Sequence, residues 1–353
     1  MAADRSTLLL AGNSMSAWNP AGGLVASGDG VVRVSAAGDR IVWGGSQIVD
    51  SPLDVWARGG LLLEGKRLPG RVRLSARGGR VAVVAVVPLE EYVAAVLSQE
   101  ASPTFLPEAL SALSVAVRTY AIQAASAPRD PDYDLVAGVE DQVFEGVDSI
   151  DSRFRAASGA TRGEILLYGG RRARTVYHST CGGRTESAAA AWGTGVAYLP
   201  SRPCEDCRDS PVWRWEYRMG LAEGRRIALS LGIRAGDDLR IEISGRTPSG
   251  RASRVRLVSG GVSRELKAAL FRQAAGYARV RSLWMEVEKA GDGFRFTGRG
   301  YGHGVGMCQW GANGMARRGA GYRDILARYY PGTRIASGSG GSGRPADRAG
   351  GGP

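Results

Sequence analysis

Two helices bounded by prolines lie between segments that have the pattern of short strands. The first, "PLEEYVAAVLSQEA", begins at Pro88, a residue suited to the first turn of a helix. Pro103 and Pro107 bracket a break after it. In the following segment, "PEALSALSVAVRTYAIQAAS", apolar residues recur at steps of three and four, which predicts an amphipathic helix.

Strand patterns lie on both sides of these helices. The runs "GVVRVSAAGDRIVWGG" and "RVRLSARGGRVAVVAVV" are rich in β-branched residues and are split by Gly-Asp and Gly-Gly turn signals. After residue 160 the pattern returns in "GEILLYGGRRARTVYHST" and "DDLRIEISGRTPSGRASRVRLVSGG", and a last helix, "YRDILARYY", stops at Pro331. Because strands and helices do not alternate regularly, we predict an α+β fold. Residues 336–353 are mostly Gly, Ser, Arg, Pro and Ala, which predicts a disordered tail.

The charge balance limits the classes of partner. The 353 residues carry a net charge of +12, and arginine supplies nearly all of the basic residues. Arginine forks suit carboxylates and phosphates. However, the arginines are scattered, without a basic stripe or a helix-turn-helix pattern, so we do not predict nucleic-acid binding.

Membrane and export signals are weak. No apolar run approaches the roughly 18 residues that a membrane helix needs, so we predict no transmembrane segment. The opening "MAADRSTLLLAG" has one basic residue and a very short apolar stretch, which makes it a poor signal peptide. Either the protein stays inside the cell, or its export signal is not part of this sequence.

Glycine occupies every second position from Gly298 to Gly306 in "GRGYGHGVGMCQWG". An extended strand here would carry Arg299, Tyr301 and His303 on one face and leave the other face bare. Glycine in a strand often marks the close approach of a ligand or of another backbone. A flexible glycine loop is the alternative interpretation.

Glu100, in "VLSQEASPTF", falls at the end of the first predicted helix. A carboxylate near the negative end of a helix dipole is disfavoured in its ionised form. That environment favours the protonated carboxyl group that a general acid needs when it acts on a glycosidic oxygen. The alternative is an ordinary solvated surface glutamate.

Two short pairs in "YHSTCGG" and "SRPCEDC" bring together residue types that bind zinc: His178, Cys181, Cys204 and Cys207. Four such ligands would make a closed tetrahedral site. One or two disulfides are the alternative, more so if the protein is exported. A bridge within the Cys-x-x-Cys pair is geometrically awkward, however, and cross-pairing leaves His178 unexplained. The remaining cysteine, Cys308, is a nucleophile beside His303 or a buried small hydrophobe.

Taken together, these stretches resemble the stage II sporulation protein D/amidase-enhancer LytB domain family. Three blocks carry the resemblance: "PLEEYVAAVLSQEASPTFLPEALSALSVAVRTYAI", "YHSTCGGRTESAAAAWGTGVAYLPSRPCEDCRDSPVWRW" and "GRGYGHGVGMCQWGANGMARRGAGYRDILARYYPGT". The chain departs from the family pattern at Ala101 and Ser102, where Met-Pro is usual, and at Cys308, where serine is more frequent. The resemblance runs from about residue 80 to 335. It predicts a β-rich N-terminal segment over 1–79, a catalytic domain over 80–335 and the tail over 336–353.

The resemblance implies a peptidoglycan lytic transglycosylase with mixed strands and helices around a substrate groove. Glu100 would be the acid/base residue that cleaves the bond between N-acetylmuramic acid and N-acetylglucosamine and leaves 1,6-anhydro ends. The position of Arg118 on its helix suggests that this residue holds Glu100 or binds a lactyl carboxylate of the substrate. The expected substrate contacts are Arg118, Gln142 of "DQVFEG", Tyr301, His303 and Gln309.

The family name also covers amidase enhancers, so a second hypothesis is a non-catalytic protein that binds wall glycan and stimulates a partner amidase. A zinc amidase is a poor third hypothesis, because four protein ligands leave no open position on the metal. We therefore expect one structural zinc ion as the cofactor. The expected partners are glycan strands and a cell-wall amidase. We expect a location in the cell envelope if an export signal is missing from the sequence.

Overall fold

The computed structural model describes residues 6–138, 141–148 and 150–337. It confirms the α+β fold class, with a β-rich N-terminal part. The chain divides into two compact units, each with its own interior. Unit 1 contains the described residues up to Leu166, with 172–174 and 336–337, and unit 2 contains 167–171 and 175–335.

Unit 1 begins with an antiparallel sheet in the strand order β4-β3-β2-β1-β5-β7-β8, with β6 paired to β5. Residues alternate between the interior and the solvent along these strands: Leu8 and Leu10 of β1 are buried, whereas Leu9 is exposed. The predicted boundary at residue 80 falls at the turn of the β7–β8 hairpin, where Arg77 pairs with Arg80. The strands are β1 (Thr7–Trp18), β2 (Leu24–Ala37), β3 (Arg40–Trp43), β4 (Gln47–Asp50), β5 (Leu53–Leu63), β6 (Lys66–Leu68), β7 (Arg71–Arg77) and β8 (Arg80–Val86).

Three helices follow the sheet: α1 (Leu89–Glu100), α2 (Pro107–Ser126) and α3 (Ser152–Ala160). The first two confirm the helices that the prolines and the apolar periodicity predict, although Pro88 is the N-cap of α1 and not its first turn. The sequence analysis did not predict α3. Its start is marked by Asp151, whose side chain accepts a hydrogen bond from the backbone amide of Arg153 (2.9 Å).

Unit 2 contains two three-stranded antiparallel sheets, β12-β17-β16 and β13-β14-β15, and a short parallel pair, β11 with β18. Its main apolar core lies between these sheets and two helices, α5 (Leu221–Ser230) and α6 (Ala268–Ala275), and includes Trp215, Phe271 and Phe296. The strands are β11 (Tyr177–His178), β12 (Arg214–Gly220), β13 (Arg240–Arg246), β14 (Ala252–Ser259), β15 (Val262–Lys267), β16 (Met285–Ala290), β17 (Gly293–Arg299) and β18 (Met307–Cys308).

The helices of unit 2 are α4 (Ala188–Trp192), α5 (Leu221–Ser230), α6 (Ala268–Ala275), α7 (Gln309–Arg317) and α8 (Tyr322–Tyr329). Only α8 was predicted, and it ends one residue early because Tyr330 is its C-cap. The remaining strands are β9 (Glu164–Tyr168), β10 (Arg171–Arg172) and β19 (Arg334–Ser337). Within the described ranges, no helix has both the length and the apolar character that a membrane span requires. The predicted tail lies outside the described residues from 338 onward.

Candidate active site and cysteine cluster

Glu100 is the last residue of α1, at the C-terminal end of the helix as the sequence predicts. Its side chain is half-buried. The backbone amide of Val143 donates a hydrogen bond to Glu100 Oε1 (3.2 Å). Since Val143 lies in the "DQVFEG" segment, this segment fixes the direction in which the carboxylate points.

The segment that holds Glu100 is itself anchored to α1 and α2. Tyr92 Oη donates to Gln142 Oε1 (2.9 Å), and Gln142 Nε2 donates to the carbonyl oxygen of Val117 (3.4 Å). The ring of Phe144 stacks on that of Tyr92, with centroids 5.5 Å apart. Gln142 is 1% exposed and braces the loop that orients Glu100. The expected contact of its side chain with substrate stays a prediction.

Arg118 is also not where the sequence analysis placed it. Its side chain is fully buried, and it forms a two-point pair with Glu90: Nε to Oε1 is 2.9 Å and Nη2 to Oε2 is 2.6 Å. It also donates to the carbonyl oxygens of Ser158 (3.0 Å) and Glu164 (3.2 Å) and, at 3.4 Å, to the hydroxyls of Ser114 and Thr161. Arg118 therefore ties α1, α2, α3 and β9 together, and its guanidinium neither contacts solvent nor holds Glu100.

The charge of Glu90 depends on this pair. Burial by itself would raise the pKa of the Glu90 carboxyl, but hydrogen bonds and charge from Arg118, with help from Ser158 and the Gly163 amide, outweigh it. The net result is a pKa below the ordinary value. The role of Glu90 was not predicted from the sequence, because acidic residues are common in the first turn of a helix and do not indicate a buried ion pair.

The glycine-rich segment of unit 2 is a strand only up to Arg299. Beyond it, Gly300, Gly302, Gly304 and Gly306 all have φ between +70° and +111°, a region that side chains rarely adopt. The predicted continuous strand is therefore wrong. The alternation of glycine marks a repeated left-handed backbone instead of a bare strand face.

The same glycines lie against other parts of unit 2. A Cβ on Gly302 would come within 2.7 Å of His178 Cβ, and one on Gly304 would overlap the guanidinium of Arg251. A Cβ on Gly306 would overlap the carbonyl oxygen of Val176. The glycines thus permit close approach of Val176, His178 and Arg251. Of the two partners expected for these glycines, a ligand or another part of the chain, the structure shows the second.

The polar groups of this segment are occupied by backbone partners. His303 Nδ1 lies 3.0 Å from the amide of Val305, which donates to it, and Nε2 lies 2.9 Å from the carbonyl oxygen of Tyr177. This pattern assigns the proton of a neutral ring to Nε2. Tyr301 pairs through its backbone with Thr180 in both directions. Substrate contacts by Tyr301 and His303 therefore stay predictions, and for His303 they would involve the ring face or its C–H edge.

Gln309, the other predicted contact, is the first residue of α7 and is 4% exposed. Its Nε2 has no hydrogen-bond partner among the described residues. This side chain lies inside unit 2, and its contact with substrate stays a prediction. The small residues that follow are the one feature of the sequence that indicates this burial.

Four thiols converge in unit 2. Cys181, Cys204, Cys207 and Cys308 are all buried, and their sulfur atoms lie within 4.8 Å of one another. None is in a disulfide, and the sulfurs of Cys181 and Cys207 are 3.5 Å apart. A tetrahedral zinc with bonds of about 2.3 Å spaces its sulfur ligands about 3.8 Å apart. The donor set therefore fits a zinc ion.

Hydrogen-bond donors surround the sulfurs. The amides of Cys181 (3.2 Å) and Gly311 (3.3 Å) donate to Cys308 Sγ, and Tyr329 Oη lies 3.2 Å from Cys204 Sγ. A hydrogen bond from Cys181 lowers the pKa of Cys207, whereas burial raises that of Cys308. Donors of this kind stabilise thiolates and orient metal ligands.

The cluster differs from the predicted set in one member, because Cys308 takes the place expected for His178. The His178 ring is turned so that Nδ1 lies 3.0 Å from the carbonyl oxygen of Val305, and its Nε2 is buried without a hydrogen-bond partner among the described residues. The parallel pairing of β11 with β18 sets His178 beside Cys308. A count of four cysteines in the chain was the signal that could have found the fourth thiol.

A buried polar network backs the cluster. Glu186 accepts a hydrogen bond from Ser249 Oγ (2.7 Å), which in turn accepts one from Arg251 Nη1 (2.9 Å). Arg251 Nη2 donates to the carbonyl oxygen of Cys181 (2.7 Å). Glu186 and Arg251 are 2% and 3% exposed, so the chain of contacts fixes the backbone of the first cysteine from inside the unit.

Two family models match parts of this chain. The family model described as "Stage II sporulation protein" matches residues 77–168, the segment that contains Glu100, Arg118 and Gln142. A second model, described as a domain of unknown function (DUF8618), matches residues 201–306, which include all strands of the two three-stranded sheets of unit 2.

Relatives extend the match over most of the chain. An uncharacterized protein of Brachyspira hyodysenteriae is 33% identical over 78% of this chain and 74% of its own length. Stage II sporulation protein D of Bacillus subtilis is 32% identical over 70% of this chain and 74% of its own length. The amidase enhancer of the same organism is 27% identical over 69% of this chain and 40% of its own length. The chain belongs to the stage II sporulation protein D/amidase-enhancer family.

Proposed function

We propose that this protein acts on the bacterial cell wall, in the cell envelope, as a peptidoglycan lytic transglycosylase. The observation that carries the proposal is the placement of Glu100. It is a half-buried carboxyl group at the C-terminal end of α1, oriented by the Val143 amide, within the segment that matches the family model.

A single carboxyl group is sufficient for this reaction. Glu100 donates its proton to the leaving glycosidic oxygen as the bond to the muramic acid anomeric carbon breaks. The C6 hydroxyl of the same sugar then bonds to that carbon and returns its proton to Glu100, which leaves a 1,6-anhydro end. Glycoside hydrolases usually need a second carboxyl group for the water or the covalent intermediate. In the transglycosylase reaction the sugar hydroxyl replaces that function.

The test is Glu100→Gln, assayed on purified glycan strands from which an amidase has removed the stem peptides. Loss of the transferable proton should reduce the release of anhydro-muramyl products by about 10²–10⁴-fold, as measured by mass spectrometry. Glu108→Gln, the same change at an exposed position of α2, is the matched control and should cleave as the native protein does. Undiminished cleavage by the Glu100 variant would refute the assignment.

A second candidate function rests on the similarity to an amidase enhancer. In that case the protein binds wall glycan and raises the rate of a partner amidase without cutting the glycan itself. Addition of the Glu100→Gln variant to an amidase digest of whole peptidoglycan separates the two functions. Stimulation that survives the substitution, with no anhydro products from either form, would favour the enhancer.

We also propose that Cys181, Cys204, Cys207 and Cys308 hold a structural zinc ion. Four protein ligands in a buried site would leave no open position for substrate, so the metal would contribute to folding and not to the chemical step. Cys308 lies about one hundred residues after Cys207 in the sequence. The metal would therefore join the two ends of the segment that forms the β12-β17-β16 and β13-β14-β15 sheets.

Elemental analysis tests both the metal and its ligands. The native protein should contain about one zinc per chain, and Cys308→Ser should lose the zinc together with a lowered melting temperature. His178→Gln should keep the metal, because the ring lies outside the thiol cluster. Zinc that persists in Cys308→Ser but disappears in His178→Gln would restore the ligand set expected from the sequence, and native protein without zinc would refute the site.

A further inference from the structure

The exposed face of the β12-β17-β16 sheet carries a ladder of charged residues. Trp215 of β12 and Phe296 of β17 point into the core, so the alternate residues of both strands point outward. The outward cross-strand pairs of β12 and β17 form three rows: Arg214 with Arg299, Glu216 with Thr297, and Arg218 with Arg295. Two of the three rows therefore place arginine directly opposite arginine.

The two arginine pairs differ in how their charge is compensated. Arg218 forms an ion pair with Glu216 (3.0 Å), and Arg295 forms one with Glu288 of β16. Neither Arg214 nor Arg299 forms an ion pair with any residue of the described part of the chain. Like charges directly opposite each other destabilise a sheet, so the uncompensated row costs stability unless an anion joins it.

Within the uncompensated row, the Arg299 side chain has a fixed partner on the same unit. The guanidinium of Arg299 lies over the ring of Trp284, 4.9 Å from the centroid. Its amide donates to the carbonyl oxygen of Trp284 (2.9 Å), which fixes the backbone of both residues. Stacking on an aromatic ring restricts the arginine side chain before any ligand arrives, which reduces the entropy lost on binding.

Two glycines of the "CGG" motif make this arrangement possible. A Cβ on Gly182 would come within 2.8 Å of Arg299 Cβ, and one on Gly183 within 3.2 Å of the Trp213 ring and 3.8 Å of Trp284. Both glycines have positive φ. The segment that follows the first cysteine of the cluster thus supports Arg299 and two tryptophan rings at one edge of the sheet.

We infer that Arg214 and Arg299, beside Trp284, form a binding site for the carboxylates of the wall glycan. Arginine forks match the two oxygens of a carboxylate, and the Trp284 ring, which also contacts Arg251, holds the Arg299 fork in place to receive one. The inference rests on the proposed glycan substrate. In a strand without stem peptides, the lactyl group of each muramic acid is the carboxylate that the pair would bind.

The test compares two glycans that differ in that carboxylate. Binding of strands without stem peptides and of a neutral N-acetylglucosamine oligomer is measured by calorimetry, in the Glu100→Gln chain so that nothing is cleaved. The double substitution of Arg214 and Arg299 to glutamine should weaken binding of the carboxylated strand about five- to tenfold and leave the neutral oligomer unchanged. The same change at Arg218 and Arg295 is the matched control and should alter neither affinity by more than about twofold.

Each outcome decides the inference. A preference for the carboxylated strand that disappears only in the Arg214/Arg299 variant supports the site. An unchanged preference in that variant, or an equal loss in the Arg218/Arg295 control, overturns it. The failure of the proposed function is distinct: glycan that binds native protein normally but yields no anhydro ends would refute the transglycosylase and leave the carboxylate site in place.

Discussion

Replacement of Arg118 by methionine tests the role of this residue, which the sequence predicts at the substrate groove and the structure shows in a buried ion pair with Glu90. Methionine keeps most of the side-chain length but removes the charge and every hydrogen bond of the guanidinium. Glu90, whose side chain is 20% exposed, would then remain desolvated without its cation. Removal of one partner from a buried ion pair typically costs about 3–5 kcal/mol.

Hydrogen exchange followed by mass spectrometry suits this measurement, because the chain has two compact units and exchange reports on the amides of each unit separately. A loss of 3–5 kcal/mol should accelerate exchange of the protected amides in α1 and α2 by about 150- to 5,000-fold. Arg155→Met is the matched control. It breaks the ion pair of Arg155 with Glu91 (2.6 Å), in which both side chains are at least 40% exposed, and such a pair is worth about 0–1 kcal/mol.

The penalty should also depend on pH. The native pKa of Glu90 lies below its ordinary value of 4.5, so its ionised form stabilises the fold above about pH 4.5 and loses that contribution as the pH falls through the native pKa. Without Arg118, burial favours the protonated carboxyl. The difference between native protein and variant should therefore be largest near pH 7 and shrink in acid. Exchange no faster than in Arg155→Met, together with lost glycan cleavage, would place Arg118 in the active site after all.

Two further substitutions test the packing around the candidate sites. Gly306→Ala should lower the melting temperature of unit 2 by several degrees, because φ is +70° and the new Cβ would overlap the Val176 carbonyl. Gly159→Ala, in α3 with open space around it, should be neutral or stabilising by up to about 1 kcal/mol; equal effects of the two would refute the packing argument. Gln142→Ala should cost about 1–3 kcal/mol by leaving the part-buried Tyr92 Oη without its acceptor, and should lower kcat more than it raises KM, since it loosens the loop that orients Glu100. A rise in KM alone would instead indicate that Gln142 contacts the substrate.

Local signals in the sequence were sufficient for the elements that depend on local physics. The apolar spacing of α2 and the proline at its start predicted Pro107–Ser126 to the residue, because periodicity and capping act within one helix. The position of Glu100 at the end of α1 followed from the same pattern. Three of the four clustered cysteines were found because their spacing is short.

Tertiary structure decided what depends on partners distant in the sequence. Cys308 reaches the cluster only because β18 pairs with β11, and that pairing joins residues 130 positions apart. Arg118 was assigned to the cleft because one helix face cannot show that Glu90, 28 residues earlier, would bury its charge. The alternating glycines were assigned to a strand because period two is the signal of a strand. Their positive φ angles arise from contacts with Val176, His178 and Arg251, which no local pattern contains.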